Sequence, residues 1–211
     1  ALLYRAFFAL PSSLATSAGV PTNATFGFAQ MCRKVFAGKR PSFGAVVFDA
    51  PGATFREERF PAYKAQRPSM PAELRAQLDD VDRVVRVFGL PNLRVSGYEA
   101  DDVIATLTRD ALEAGHEVHI VSGDKDFAQL VGEHVRLVDT MRDVTYDAEL
   151  VRKKWGVPPA LIPDLLALMG DDIDNIPGVP GIGHKGAAAL LEKYGSLDGV
   201  LAHLEELKGK Q

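Results

Sequence analysis

The chain has 211 residues, of which 46% are hydrophobic and 25% charged, and its net charge is −4. That composition supports one large domain, or a domain with an appendage, around an ordinary hydrophobic core, and it excludes a disordered or fibrous chain. The single cysteine, Cys32, excludes an intrachain disulfide, and no run of about 18 apolar residues exists to span a membrane.

Leu2 to Leu10 reads as a helix, ended by Pro11 and a Ser/Thr/Gly-rich loop to Pro21. Thr22 or Asn23 can cap a second helix, which Gly38 stops. Phe43 to Phe48 is a compact apolar run ending at Asp49, a buried strand by pattern. Residues 50–70 are irregular and basic. Pro71 suits the first turn of a helix reaching Phe88, and Leu93 to Val95 is a short strand. A helix opens near Glu99, with Val103, Ile104, Leu107, Ala111 and Leu112 on its apolar face, and Gly115 ends it. Glu117 to Ser122 and Val135 to Val138 are the next strands. From about Asp147 the pattern is wholly helical. Alternating strands and helices predict an α/β fold with a mostly parallel central sheet over residues 1–146, followed by an all-helical subdomain over 147–211.

Four short acidic stretches stand out: Val47-Phe48-Asp49, Glu99-Ala100-Asp101-Asp102, Asp124-Lys125-Asp126 and Asp171-Asp172-Ile173-Asp174. Singly, each has an ordinary explanation, as a helix N-terminus or an Asp-rich turn. Jointly they fall at one edge of the predicted sheet, where ligands of parallel sheets bind. Seven or eight carboxylates so close cannot all stay ionised without a counter-charge. An all-oxygen cluster suits Mg²⁺ or Mn²⁺, and Glu99/Asp102 and Asp171/Asp174 share helical-face spacing. The spacing is not that of an EF-hand.

The stretch 53–67 puts Arg56, Arg59, Lys64 and Arg67 among Phe55, Phe60 and Tyr63. Lys64 and Arg67 could neutralise a scissile phosphate, and the aromatics could stack on a base; a solvated loop with aromatic anchors is the alternative. Ile176-Pro-Gly-Val-Pro-Gly-Ile-Gly-His-Lys-Gly fits a helix-hairpin-helix, in which Gly181 and Gly183 bring backbone amides to a phosphate and Lys185 adds charge. Residues 1–48 hold Arg5, Arg33, Lys34, Lys39 and Arg40 and no acid, whereas the remainder carries −9, much of it in the acidic stretches.

The stretches VVFDAPGATFREERFPAYKAQRPSMP, GYEADDVIATL, SGDKDFAQLV and MGDDIDNIPGVPGIGHKGAAALLEKYGSL, in that order, resemble the 5′-nuclease domain of bacterial DNA polymerase I, in the flap endonuclease / 5′-3′ exonuclease superfamily. The resemblance implies a PIN-like core and a structure-specific nuclease that cuts 5′ ends and 5′ flaps with two Mg²⁺ or Mn²⁺ ions. It implies that Asp49, Glu99, Asp101, Asp102, Asp124, Asp126, Asp171 and Asp174 bind metal and that Lys64 and Arg67 serve the scissile phosphate. It further implies that Tyr4, Arg5, Arg56, Tyr63, Gly181, Gly183 and Lys185 meet DNA, and that backbone around Val179 and Ile182 holds a K⁺ ion. A cytoplasmic bacterial monomer, with branched or 5′-flap DNA as partner and a polymerase module in the natural chain, is the expectation.

Relatives place a strand ending in Asp-Gly before the LLYRAFFAL helix, so a preceding strand and one further metal Asp are expected upstream of residue 1. Gly186 stands where relatives commonly carry Thr. Two other readings stay open at this point. A non-catalytic DNA-binding fragment follows if that Asp is absent. A haloacid-dehalogenase-like phosphatase fits Val46-Val-Phe-Asp, but Pro51 occupies the position of its second Asp.

Overall fold

The computed structural model describes residues 2–37 and 41–207. Helices α1 (Leu2–Ala9) and α2 (Asn23–Phe36) pack against each other. Gly38, expected to end α2, lies outside the described residues. Strand β1 is only Val46–Val47, and residues 41–45 before it are exposed rather than buried in a strand. It pairs in parallel with β2 (Asn92–Leu93). Between them lie α3 (Phe55–Arg59), α4 (Ala72–Arg75) and α5 (Leu78–Val87).

The single helix expected over 71–88 is two. The break falls at Gln77, which is fully buried. Its amide donates to Asn23 Oδ1 at 2.9 Å and accepts the Thr25 N–H at 3.1 Å. Asn23 in turn donates to the Phe7 carbonyl at 2.7 Å, so one buried polar network joins α1, α2 and the α4–α5 junction.

Helix α6 (Ala100–Glu113) leads to β3 (Val118–Val121), a 3₁₀ turn (Lys125–Leu130) and β4 (Val135–Asp139). β3 and β4 are parallel, and β5 (Val144–Tyr146), which the sequence pattern did not disclose, returns antiparallel. Three residues after a charged turn carry too little alternation to read as a strand. The α/β expectation holds, with the sheet in two pieces: β1–β2, and β3–β4–β5. Helix α6 packs on β1 and on β3 and bridges them.

Helices α7 (Ala148–Trp155), α8 (Ile162–Met169), α9 (His184–Tyr194) and α10 (Leu197–Ala202) complete the chain. Leu3, Phe28, Leu74, Val81 and Val85 form one core under α1, α2 and α5. A second core runs from Ile120 and Leu137 in the sheet to Val151, Leu165 and Leu191 in the helices. Apolar packing is therefore continuous across residue 147, and the late helices are seated on the sheet. Among the described residues no helix is long and apolar enough to cross a membrane.

Candidate metal and phosphate site

Each acidic stretch is positioned by a different element. Asp49 follows β1, and its Oδ1 accepts the Ala100 N–H at 2.8 Å, tying the strand end to the start of α6. Glu99 caps α6 in a capping box with Asp102, whose Oδ2 accepts the Glu99 N–H at 3.1 Å. Asp124 follows β3 and caps the 3₁₀ turn by accepting the Asp126 N–H at 3.3 Å. Asp171 and Asp174 sit in the loop after α8, closed by a bridge between Asp171 and Ile176. That loop folds tightly: a Cβ on Gly170 would meet the Gly178 nitrogen at 2.4 Å, and Gly170 has φ +78°. Only glycines allow the two backbones this approach.

The four elements converge. Carboxylate oxygens of Asp126, Asp171 and Asp174 lie within 4.8 Å of one another. Burial pushes Asp101 up to about 6, with Asp124 adding to the shift, Lys64 opposing it, and Asp49 and Glu99 contributing further. Burial likewise pushes Asp126 up to about 6, aided by Asp124, Asp171 and Asp174 and opposed by Lys125. Asp124 thus acts on both halves of the cluster. One buried oxygen of Asp126, Oδ1, has no hydrogen-bond partner. An orphaned carboxylate oxygen among like charges is what a hard divalent cation would satisfy, so the donor set fits such an ion.

The chain's own cations cover the cluster. Lys64 Nζ lies 2.7 Å from Glu99 Oε1 and 3.8 Å from Asp174 Oδ2. Arg67 is paired with Asp174. Lys125 Nζ lies 2.5 Å from Asp171 Oδ2. Arg56 forks onto Asp102, and that pairing holds the Asp102 carboxyl below the usual carboxylate range. A cleft of about 400 Å³ opens between α3, the turn carrying Tyr63 and the acidic loop, lined by Phe55, Arg59, Phe60, Glu99, Asp101 and Asp126 among others.

Several expected DNA contacts have internal partners. Tyr63 is 8% exposed at the cleft wall, and its hydroxyl lies 3.0 Å from Glu99 Oε2 and 3.1 Å from Asp174 Oδ2. Burial and the two carboxylates push the Tyr63 phenol far up, which keeps it neutral. Arg5 bonds the Gly123 carbonyl and Asp139 while its side chain stays 35% exposed. Tyr4 stays exposed beside Phe8. Phe55 packs on Tyr98 and carries the Arg56 guanidinium over its face, leaving Phe60 as the exposed aromatic of this stretch.

In the α8–α9 hairpin, Gly183 caps α9, and Gly181, Gly183 and Lys185 are all exposed. The Val179 carbonyl accepts the Ile182 N–H at 3.0 Å, and the Ile182 side chain is buried. Residues the sequence pattern passed over also matter here. Lys125 neutralises Asp171, and Gln66 and Asn175 join the turn 61–67 to the acidic loop. Only Lys125 had a visible signal, standing between two acids.

Comparison with known proteins identifies the family and the fold. Residues 1–156 match the family described as 5′-3′ exonuclease, N-terminal resolvase-like domain, and residues 157–211 match 5′-3′ exonuclease, C-terminal SAM fold. The chain is 46% identical to a 5′-3′ exonuclease of Aquifex aeolicus, covering 98% of this chain and 71% of the relative. It is 52% identical to DNA polymerase I of Pseudomonas aeruginosa, covering 97% of this chain but 22% of that protein. The chain thus spans about a quarter or less of the polymerase relatives it matches. T5 5′-exonuclease with bound zinc shares the fold at a TM-score of 0.74 and 23% identity, over 89% of this chain and 73% of that one. The catalytic core of Rad2 in complex with DNA superimposes at 0.61 and 21% identity, over 94% and 60%. These matches set the phosphatase alternative aside.

Proposed function

We infer the function from one premise: the chain belongs to the 5′-3′ exonuclease family, whose two models together span residues 1–211. The reading is divalent-metal-dependent hydrolysis of DNA phosphodiesters at 5′ ends and 5′ flaps. The observation that carries it is the meeting of four acidic segments on Asp124, which acts on both the Asp101 and the Asp126 halves of the cluster. A cluster shared in this way suits two Mg²⁺- or Mn²⁺-class ions, with Asp49, Glu99, Asp101 and Asp124 around one and Asp124, Asp126, Asp171 and Asp174 around the other. Bound ions would supply activation of water and neutralisation of charge on the phosphate.

The remaining work falls to the chain's own residues. Lys64 and Arg67, now paired with Glu99 and Asp174, would exchange those carboxylates for phosphate oxygens as the ions take over the acids. The neutral Tyr63 hydroxyl, bridging Glu99 and Asp174, orients both carboxylates. Arg56 holds Asp102 by both oxygens, so Asp102 serves first to fix the start of α6 and only secondarily as a ligand. The exposed amides at Gly181 and Gly183, with Lys185, suit a duplex backbone without reading bases. A K⁺ ion near Val179 and Ile182, and attachment to a polymerase module, belong to the same reading.

Asp124→Asn tests it. That variant should lose Mg²⁺-dependent cleavage of a 5′-flap substrate while still binding it in Ca²⁺. Cleavage at the parental rate would refute the assignment, and a parent chain that binds flap DNA without cutting it would make the chain a binding module.

A further inference from the structure

The turn 61–67, which carries Lys64 and Arg67, is seated on the loop that carries Asp171 and Asp174. Much of the seam is made by groups outside the carboxylate cluster. Asn175 Nδ2 donates to the Ala62 carbonyl at 2.7 Å, and Gln66 Nε2 donates to the Asp172 carbonyl at 2.8 Å. The Lys64 N–H donates to the Asp174 carbonyl at 3.0 Å. Arg67 Nε reaches the Ile173 carbonyl at 3.3 Å.

The backbone is twisted on both sides of this seam. Lys64 has φ +55° and Asn175 has φ +58°, the left-handed region that non-glycine residues seldom occupy. Asparagine tolerates that region best, but lysine does not, so the surrounding bonds must over-determine the Lys64 conformation. Those bonds span more than 100 residues of chain and cannot arise from local structure. They set where the Lys64 and Arg67 side chains emerge.

We propose that Gln66 and Asn175 are positioning residues: they latch the basic turn to the acidic loop and thereby hold Lys64 and Arg67 in register with the cleavage site. This role rests on the nuclease reading above. Neither side chain carries charge, and each amide nitrogen donates to a main-chain carbonyl on the far side of the seam. Their effect is on geometry, to which transfer reactions are sensitive: a misplacement of about 1 Å costs on the order of 100-fold.

The test uses Gln66→Ala and Asn175→Gly, alone and together. Glycine keeps the positive φ while deleting the amide, so backbone strain is not introduced. Amide exchange at Lys64, melting temperature, and single-turnover kcat and KM on 5′-flap DNA in Mg²⁺ are measured. The double variant should exchange the Lys64 amide faster and lose about tenfold in kcat with KM within about twofold. The same pair placed in a Lys64→Ala/Arg67→Ala chain should cost less than about twofold further, because nothing is left to position.

Unchanged exchange at Lys64 would overturn the latch alone. Faster exchange with parental kcat, or equal losses with and without Lys64 and Arg67, would overturn the positioning role and leave the nuclease reading standing. A parent chain that cuts no flap DNA would overturn both, with the exchange result still reporting whether the seam forms.

Discussion

Arg56 meets Asp102 through two parallel hydrogen bonds of 2.6 and 2.7 Å, a fork-to-fork pair that joins α3 to the first turn of α6. Lysine cannot reproduce that geometry. Arg56→Lys should therefore destabilise the chain by about 1 kcal/mol, a low value for a charge-assisted pair because the side chains remain 33% and 24% exposed. Urea unfolding checks this, and an unchanged midpoint would show that the pair contributes nothing to the fold.

Asp126 pits stability against ion binding. Its buried Oδ1 has no hydrogen-bond partner and only Lys125 Nζ at 4.0 Å as counter-charge, while Asp124, Asp171 and Asp174 repel the carboxylate. Asp126→Asn removes one of the repelling charges, so the metal-free chain should melt higher, by about 2–4 °C. The stabilisation gained on adding Mg²⁺ should shrink. Thermal unfolding with EDTA and with Mg²⁺ reads both effects, and a lower melting point in EDTA would contradict the repulsion.

The same cluster sets an unusual pH response. Asp101 and Asp126 are raised to about 6 from an ordinary 3.8. Between those values the folded chain binds more protons than the unfolded chain, so stability falls as pH rises. Metal-free protein should gain stability as pH drops from about 6 towards 4 and should change little above that window. Asp102, held low by Arg56, acts in the opposite sense and only at more acid pH. Melting curves in EDTA from pH 4 to pH 8 test the sign, and adding Mg²⁺ should flatten the trend.

Gly178 should tolerate no side chain. A Cβ there would meet the Met169 carbonyl carbon at 2.3 Å and the Gly170 nitrogen at 2.5 Å, both backbone atoms that cannot swing aside. Gly178→Ala should cost about 1–3 kcal/mol, and should weaken Mg²⁺ binding more than Gly181→Ala does, because the Asp171–Asp174 loop must open. Equal Mg²⁺ titrations for the two variants would show that the loop adapts.

The long amphipathic segments were legible as sequence. α1, α2 and α6 fall where the apolar period put them, although Thr22 before α2 makes no side-chain cap bond, and Asp49 and Asp124 follow strands as the pattern required. Elements whose form depends on remote partners were not. The break at Gln77 follows from a bond to Asn23, 54 residues away. β5 exists because β4 offers it an edge. Nothing local discloses that the Tyr63 hydroxyl bridges Glu99 and Asp174, 36 and 111 residues away.

The sequence alone determined which residue types carry the chemistry: four acidic segments, a basic stretch after Asp49, and a glycine-rich hairpin, all of them short local patterns. Only the tertiary structure decided how the charges are shared out. Arg56 holds Asp102, Lys64 holds Glu99, Lys125 holds Asp171 closely and Asp126 only at 4.0 Å, and one buried oxygen of Asp126 is left without a hydrogen bond. Coulomb and hydrogen-bond energies depend on separations of a few ångströms and on burial, and those distances are set by packing among segments far apart in the chain.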